Sequence, residues 1–110
     1  MERKLDCIFE ALANTKRRGM INTLSYRPAT ISQLAKEHGL SLQAMHKHTC
    51  SLQRADFIKR RKVGRINFVA LNHKTLKQAQ DWINQYAAYG SDQETLENYL
   101  ASMKDLDMTR

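Results

Sequence analysis

The chain has 110 residues and a mass of 12.8 kDa, the size of one ordinary domain, and 42% of its residues are hydrophobic, enough for a compact core. One Pro, four Gly and 7% aromatics favour helix over a β-sandwich. No run approaches the roughly 18 apolar residues of a membrane span, and Met-Glu-Arg-Lys leads into no signal-type apolar stretch, so a soluble cytoplasmic protein with no membrane partner is expected.

Cys7 and Cys50 are too few and too far apart for a disulfide framework or a Cys-x-x-Cys site, and reduced thiols are expected. The net charge of +7 points to a polyanionic partner. The charge is uneven: residues 1–72 hold 14 Lys/Arg against 5 Asp/Glu, whereas residues 73–110 hold 4 against 6. The basic function therefore lies in the first two thirds of the chain.

Leu5, Ile8, Phe9 and Leu12 have the spacing of an amphipathic helix at about 4–13. Asn14 is placed to cap a second helix over 15–24 that buries Met20, Ile21 and Leu24, and Tyr26-Arg-Pro-Ala marks a break. Thr30 and Gln33 have capping-box spacing ahead of a third helix of about nine residues, striped by Ile31, Leu34 and Ala35 and ending at Gly39. Ser41 caps a fourth helix, 41–54, with Met45, His48, Leu52 and Ala55 along its inner face.

From Phe57 the period changes to that of strands. Two runs within 58–71, joined through a turn at Val63-Gly64, form an antiparallel hairpin. Leu76, Ala79, Ile83 and Tyr86 restore helical spacing over 74–89, Gly90 offers a stop, and Ser91 with Glu94 forms a capping box for a last helix, 92–104, carrying Leu96, Tyr99, Leu100 and Met103. The expected fold is mainly α with a small antiparallel β-hairpin: four helices, hairpin, two helices. This is a winged helix-turn-helix filling residues 1–110 as a single domain.

A helix in the major groove of DNA reads bases with the face opposite its core stripe. In the fourth helix that face is Leu42, Gln43, Ala44, His46 and Lys47, with Ser41 at the helix start able to meet a phosphate. Gln43 has the amide for bidentate contact with adenine, Lys47 reaches guanine or phosphate, and Leu42 or Ala44 suits a thymine methyl. The hairpin carries Lys59, Arg60, Arg61, Lys62 and Arg65, five cations in seven residues. Lys62, Gly64 and Arg65 lie at the tip with Arg60 behind them, placed for a minor groove. Lys16, Arg17 and Arg18 on the second helix are candidate phosphate contacts. Trp82, Tyr86 and Tyr89 beside Ile83 exceed the apolar surface one small core needs and point to self-association.

The sequence also resembles the ArsR-like winged-helix repressors of bacteria and archaea. Ala11-Leu-Ala-Asn-Thr-Lys-Arg-Arg is similar to the family's opening signature. Ile31-x-x-Leu-Ala with Gly39-Leu-Ser is similar to its helix-turn-helix, and Arg61-Lys-Val-Gly-Arg through Leu71 to its wing. The likeness covers roughly residues 5–103; Leu71-Asn, Asp81-Trp-Ile-Asn-Gln-Tyr and Leu96-Glu-Asn-Tyr-Leu are similar to a subgroup without metal sites. Asp56 stands where the family usually has Gly, and Lys16 and Gly19 also depart from its pattern.

The resemblance implies a symmetric homodimer built from the first and fifth helices, with Leu5, Ile8, Phe9, Trp82, Ile83, Tyr86 and Tyr89 at its interface and helices 4–13, 74–89 and 92–104 as dimerisation elements. It further implies repression of transcription at a palindromic operator on double-stranded DNA. Thr30 and Ser32 occupy the third-helix positions where metal-sensing members place cysteines, so neither metal nor other cofactor is expected. His46 and Cys50 supply only two ligands, short of a zinc site. Cys50 is either a redox switch or a small neutral residue. No phosphate loop, carboxylate pair or nucleophile with a matching base points to an enzyme. The alternative is an architectural or RNA-binding module that uses the same charge without reading bases.

Overall fold

The computed structural model describes residues 2–90 and 96–107, with side-chain surroundings for 3–86 and 96–104. The Ser91/Glu94 capping box and the Tyr89 side chain lie outside the described residues. Contacts group the chain into two compact units, Met1–Ala79 and Gln80–Arg110.

In the first unit, α1 (Glu2–Leu12) and α2 (Thr15–Tyr26) are followed by β1 (Ala29–Thr30), α3 (Ile31–Glu37) and α4 (Leu42–Arg54), then by β2 (Ile58–Val63), β3 (Ile66–Leu71) and the start of α5 (His73–Gly90). Local chemistry accounts for most boundaries. Asn14 accepts from the Arg17 amide, capping α2. The helix outlasts Leu24 by two residues and stops where Arg27, preceding Pro28, turns extended at φ −171°. Thr30 and Gln33 form the expected reciprocal box, at 3.0 and 2.9 Å.

Helices α3 and α4 end in the same way. Leu40 donates to the carbonyl of Ala35 and Gly39 to that of Lys36, the paired bonds of a Schellman motif with Gly39 at φ 62°. This motif consumes residues 38–40, so α3 is two residues shorter than the expected nine. At the end of α4, Phe57 donates to Leu52 and Asp56 to Gln53, with Asp56 itself at φ 62°. Both apolar members of that motif, Leu52 and Phe57, are fully buried.

The sheet is three-stranded in the order β1-β3-β2, so the expected hairpin is joined by a short strand from the Pro28 break. Ala29 pairs with Val69 and Thr30 with Phe68. In the wing, Val63 pairs with Ile66, which moves the two-residue turn to Gly64-Arg65 rather than Val63-Gly64. Gly64, at φ 63°, takes the first central position, as in a type II′ connection.

The core of this unit gathers Ile8, Met20, Leu34, Met45, Leu52 and Phe57. Thr49, rather than His48, completes the inner stripe of α4 with Met45 and Leu52, and its hydroxyl is satisfied by the carbonyl of His46 at 3.0 Å. Its shorter side chain turns inward at no hydrogen-bonding loss. Asn72 and the buried Thr75 both donate to the Asp56 carbonyl, and Asn72 Oδ1 accepts from the Lys74 amide. The end of α4 is thereby latched to the start of α5.

In the second unit, the remainder of α5 is followed by α6 (Leu96–Asp107); the expected helix start at residue 92 lies outside the described residues. Trp82 stacks on Tyr86 with ring centroids 5.0 Å apart and planes tilted by 56°. Large apolar side chains of this unit are exposed, from Trp82 at 40% to Leu96 at 66%. Among the described residues, no helix is long and apolar enough to cross a membrane.

Candidate nucleic-acid interface

Ser41 opens α4 by accepting from the Ala44 amide at 3.1 Å. With Met45, Thr49 and Leu52 turned inward, the 3.6-residue period exposes Leu42, Gln43, His46 and Lys47, while Ala44 is half-buried. Gln43 and Lys47 make no side-chain hydrogen bond among the described residues, so both are available to a ligand. Cys50 continues the same exposed stripe one turn further on.

The strand register sorts the wing's charges. Arg60 and Lys62 share a face with their partners Val69 and Asn67, whereas Lys59 and Arg61 share the opposite face with Ala70 and Phe68. Arg60 is half-buried and reaches Gln53 Oε1 of α4 at 3.4 Å, so it stays against the body of the domain. Lys62, Gly64 and Arg65 at the tip are exposed.

Between the tip and the first turns of α3 and α4 lies a groove of about 390 Å³. Its apolar lining is Ile31, Leu42 and Ile66; its polar lining is Thr30, Ser32, His46, Arg65 and Asn67. Sequence reasoning singled out Leu42, His46 and Arg65 but missed Ser32, Ile66 and Asn67. Asn67 had a readable signal: a polar residue in an apolar strand, cross-strand from Lys62.

The three consecutive cations of α2 have different environments. Arg17 donates through Nε to the Ala11 carbonyl at 2.8 Å and through Nη2 to the Glu10 carbonyl at 3.0 Å, and lies 3.5 Å from His48 Nδ1 on α4. It thus adds donors to the C-terminal carbonyls of α1 and abuts α4. Arg18 holds the Leu12 carbonyl at 2.7 Å from an exposed position, and Lys16 reaches the His38 carbonyl at 3.3 Å. Burial, the Arg17 guanidinium and the Lys16 ammonium together hold the His48 pKa below its ordinary value of 6.5. Neutral His48 can then accept from Arg17.

His38, half-buried, pairs through Nε2 with Thr23 Oγ1 at 3.1 Å. The ring packs over Gly19, where a Cβ would stand 3.4 Å from His38 Cε1, an ordinary van der Waals contact. Among the described residues, no three His, Cys, Asp or Glu side chains converge on a point where a metal ion would sit. Of the expected interface residues, Leu5 and Phe9 are half-buried and Trp82, Ile83 and Tyr86 exposed. Ile8 is 1% exposed and packs in the core of the first unit, because it points along the inner stripe of α1 with Ala11.

No protein-family model and no curated protein matches the sequence. Solved structures do. One ArsR family transcriptional regulator is 31% identical with a TM-score of 0.75, covering 80% of this chain and 91% of its own. The chain belongs to the ArsR family. Members of this family are transcriptional regulators and not enzymes. An ArsR-like regulator from Rhodococcus sp. RHA1 covers 98% of this chain and 94% of its own at 23% identity and a TM-score of 0.74. A homodimeric winged helix-turn-helix DNA-binding domain from Mycobacterium bovis covers 84% and 89% at 12% identity and a TM-score of 0.65. At those identities the last two report the fold alone, and the winged helix-turn-helix is that fold.

Proposed function

We propose that this ArsR-family protein is a cytoplasmic, dimeric repressor that binds a palindromic operator in double-stranded DNA. Ser41, Leu42, Gln43, Ala44, His46 and Lys47 of α4 enter the major groove. Lys62, Gly64 and Arg65 enter the adjacent minor groove, with Arg60 bracing the wing from α4. Lys16 and Arg18 neutralise phosphates.

The observation that carries this reading is one continuous surface: an α4 face with uncommitted Gln43 and Lys47, and a cationic hairpin tip across an acid-free groove. Dimerisation rests on the exposed Trp82, Ile83, Tyr86, Leu96, Tyr99, Leu100 and Met103, more apolar surface than a monomer of this size leaves in water, and on the homodimeric state of the Mycobacterium bovis protein. Leu5 and Phe9 are the α1 residues with surface to contribute.

Genomic fragments selected by the purified protein test the reading. Enriched fragments carry an inverted repeat whose half-site centres lie about 34 Å apart, and footprinting protects both halves. Fragments recovered without any shared sequence contradict it and favour an architectural role. With Lys16, Arg18, Lys62 and Arg65 of both protomers each covering one phosphate, affinity falls with salt at a log–log slope near about −7.

A further inference from the structure

The sugar-phosphate strand dividing a major groove from the neighbouring minor groove must pass between an element lodged in the first and an element lodged in the second. On this protein that passage is the groove between the first turns of α3 and α4 and the tip of the wing. Its volume, about 390 Å³, is more than ten times the roughly 30 Å³ share of a water molecule, so it admits a segment of chain. Ser32, Leu42, His46, Arg65 and Ile66 are all exposed along it, which leaves it open on the DNA side.

The lining chemistry is that of an anion site with apolar shoulders. It contains a guanidinium (Arg65), an amide (Asn67), two hydroxyls (Thr30 and Ser32) and an imidazole (His46), and no carboxylate. Ser32 and Asn67 make no side-chain hydrogen bond among the described residues. The Thr30 hydroxyl accepts from the Gln33 amide, leaving its own proton to donate outward. Leu42 and Ile66 place hydrocarbon beside these donors.

We infer that this groove clamps one phosphodiester of each operator half-site. Ser32 Oγ, Asn67 Nδ2 and the Arg65 guanidinium donate to the phosphate oxygens, and Leu42 and Ile66 pack on the adjoining deoxyribose. The inference rests on the DNA-binding reading and adds to it residues, Ser32 and Asn67, that lie on neither the recognition face nor the cationic tip. It also gives the site a preference for DNA over RNA: a ribose 2′-hydroxyl against Leu42 and Ile66 is desolvated without a partner.

Binding of wild type, Ser32→Ala, Asn67→Ala and the double variant is measured on a 30-base-pair random-sequence duplex and on the selected operator, at one salt concentration. Thermal unfolding of each variant serves as the folding control. Each single variant weakens both duplexes alike, by about 5- to 20-fold. A scan of neutral methylphosphonates along the operator finds one phosphate per half-site, between the α4 and wing footprints, whose neutralisation weakens wild type about tenfold and the double variant hardly further. Ribose at the adjoining nucleotide weakens wild type. Variants that bind as tightly as wild type, or that lose affinity for the operator only, overturn the clamp and leave the DNA-binding reading intact. Failure of wild type to bind either duplex overturns both.

Discussion

On the proposed reading, Arg17 is the structural member of three consecutive cations and Arg18 the DNA-contacting one. Its guanidinium donates to two α1 carbonyls, at 2.8 and 3.0 Å, and abuts His48, so truncation opens the end of α1 and loosens its junction with α4. Hydrogen bonds from charged donors contribute roughly 1.5–3 kcal/mol when buried, and a cation at a helix C-terminus roughly 0.3–1 kcal/mol. The bond to Ala11 is only part-buried, so the low end applies to it, and the exposed bond to Glu10 contributes roughly 0.5 kcal/mol because water can replace it; Arg17→Ala therefore costs about 2–3 kcal/mol. For a domain of this size that lowers Tm by roughly 10 °C.

Arg18, exposed with one close carbonyl bond at 2.7 Å, loses about 0.5–1 kcal/mol as Ala. Urea unfolding followed by circular dichroism at matched protein concentration resolves that gap. The salt dependence of DNA binding supplies the second axis: Arg18→Ala makes the slope shallower by about 2 per dimer, and Arg17→Ala leaves it unchanged. If Arg17→Ala is as stable as wild type yet flattens the salt slope as Arg18→Ala does, Arg17 is a phosphate contact and the reasoning is refuted.

Four further outcomes follow from individual contacts. Because the folded state holds His48 below 6.5, its stabilising contribution is fully present above that pH and is lost as pH falls through the lowered value. Unfolding free energy therefore declines from pH 7 toward pH 5, and His48→Gln flattens that segment of the curve; an unchanged segment contradicts the assignment. Asp56→Gly relieves a left-handed residue and raises stability by about 0.5–1 kcal/mol, whereas a raised Tm for Asp56→Val would be inexplicable. Thr75→Val, which keeps volume but removes the donor to Asp56, costs about 1–3 kcal/mol by chemical denaturation; a value near zero removes the latch. Met45→Ala, in the fully buried stripe of α4, costs about 2–5 kcal/mol, and a loss under 1 would mean that the core closes over the cavity.

Much of the fold was legible because its boundaries are set by short-range chemistry. Asn14, the Thr30/Gln33 pair, Ser41 and Gly39 each act within a few residues of where they stand, and each does so in the structure. β1 was not legible: two residues show no alternation, and the pairing of Ala29 with Val69 bridges 40 positions of sequence. The wing turn was misplaced by one residue because Gly64 fits either central position until the register of Val63 with Ile66 decides.

In the candidate site, the exposed face of α4 follows from helical period alone, which is why Leu42, Gln43, His46 and Lys47 emerge in sequence and structure alike. The choice of Thr49 over His48 for the interior does not, because it depends on what α1 and α2 bring against α4. The α1 carbonyls that hold the Arg17 side chain are hidden from the sequence for the same reason. An arginine three residues after a helix cap has the same local signature whether it reaches outward or back to the preceding helix. The groove residues Ser32 and Asn67 come together only through tertiary structure.

The central claim is that α4 reads bases, and Gln43→Ala tests it most directly. Wild type and variant are titrated against the selected operator and an unrelated duplex at the same ionic strength. The account predicts that operator affinity falls by roughly 10- to 100-fold, the discrimination of one bidentate base contact, while affinity for the unrelated duplex is unchanged. Equal loss on both duplexes, or no loss on either, contradicts it.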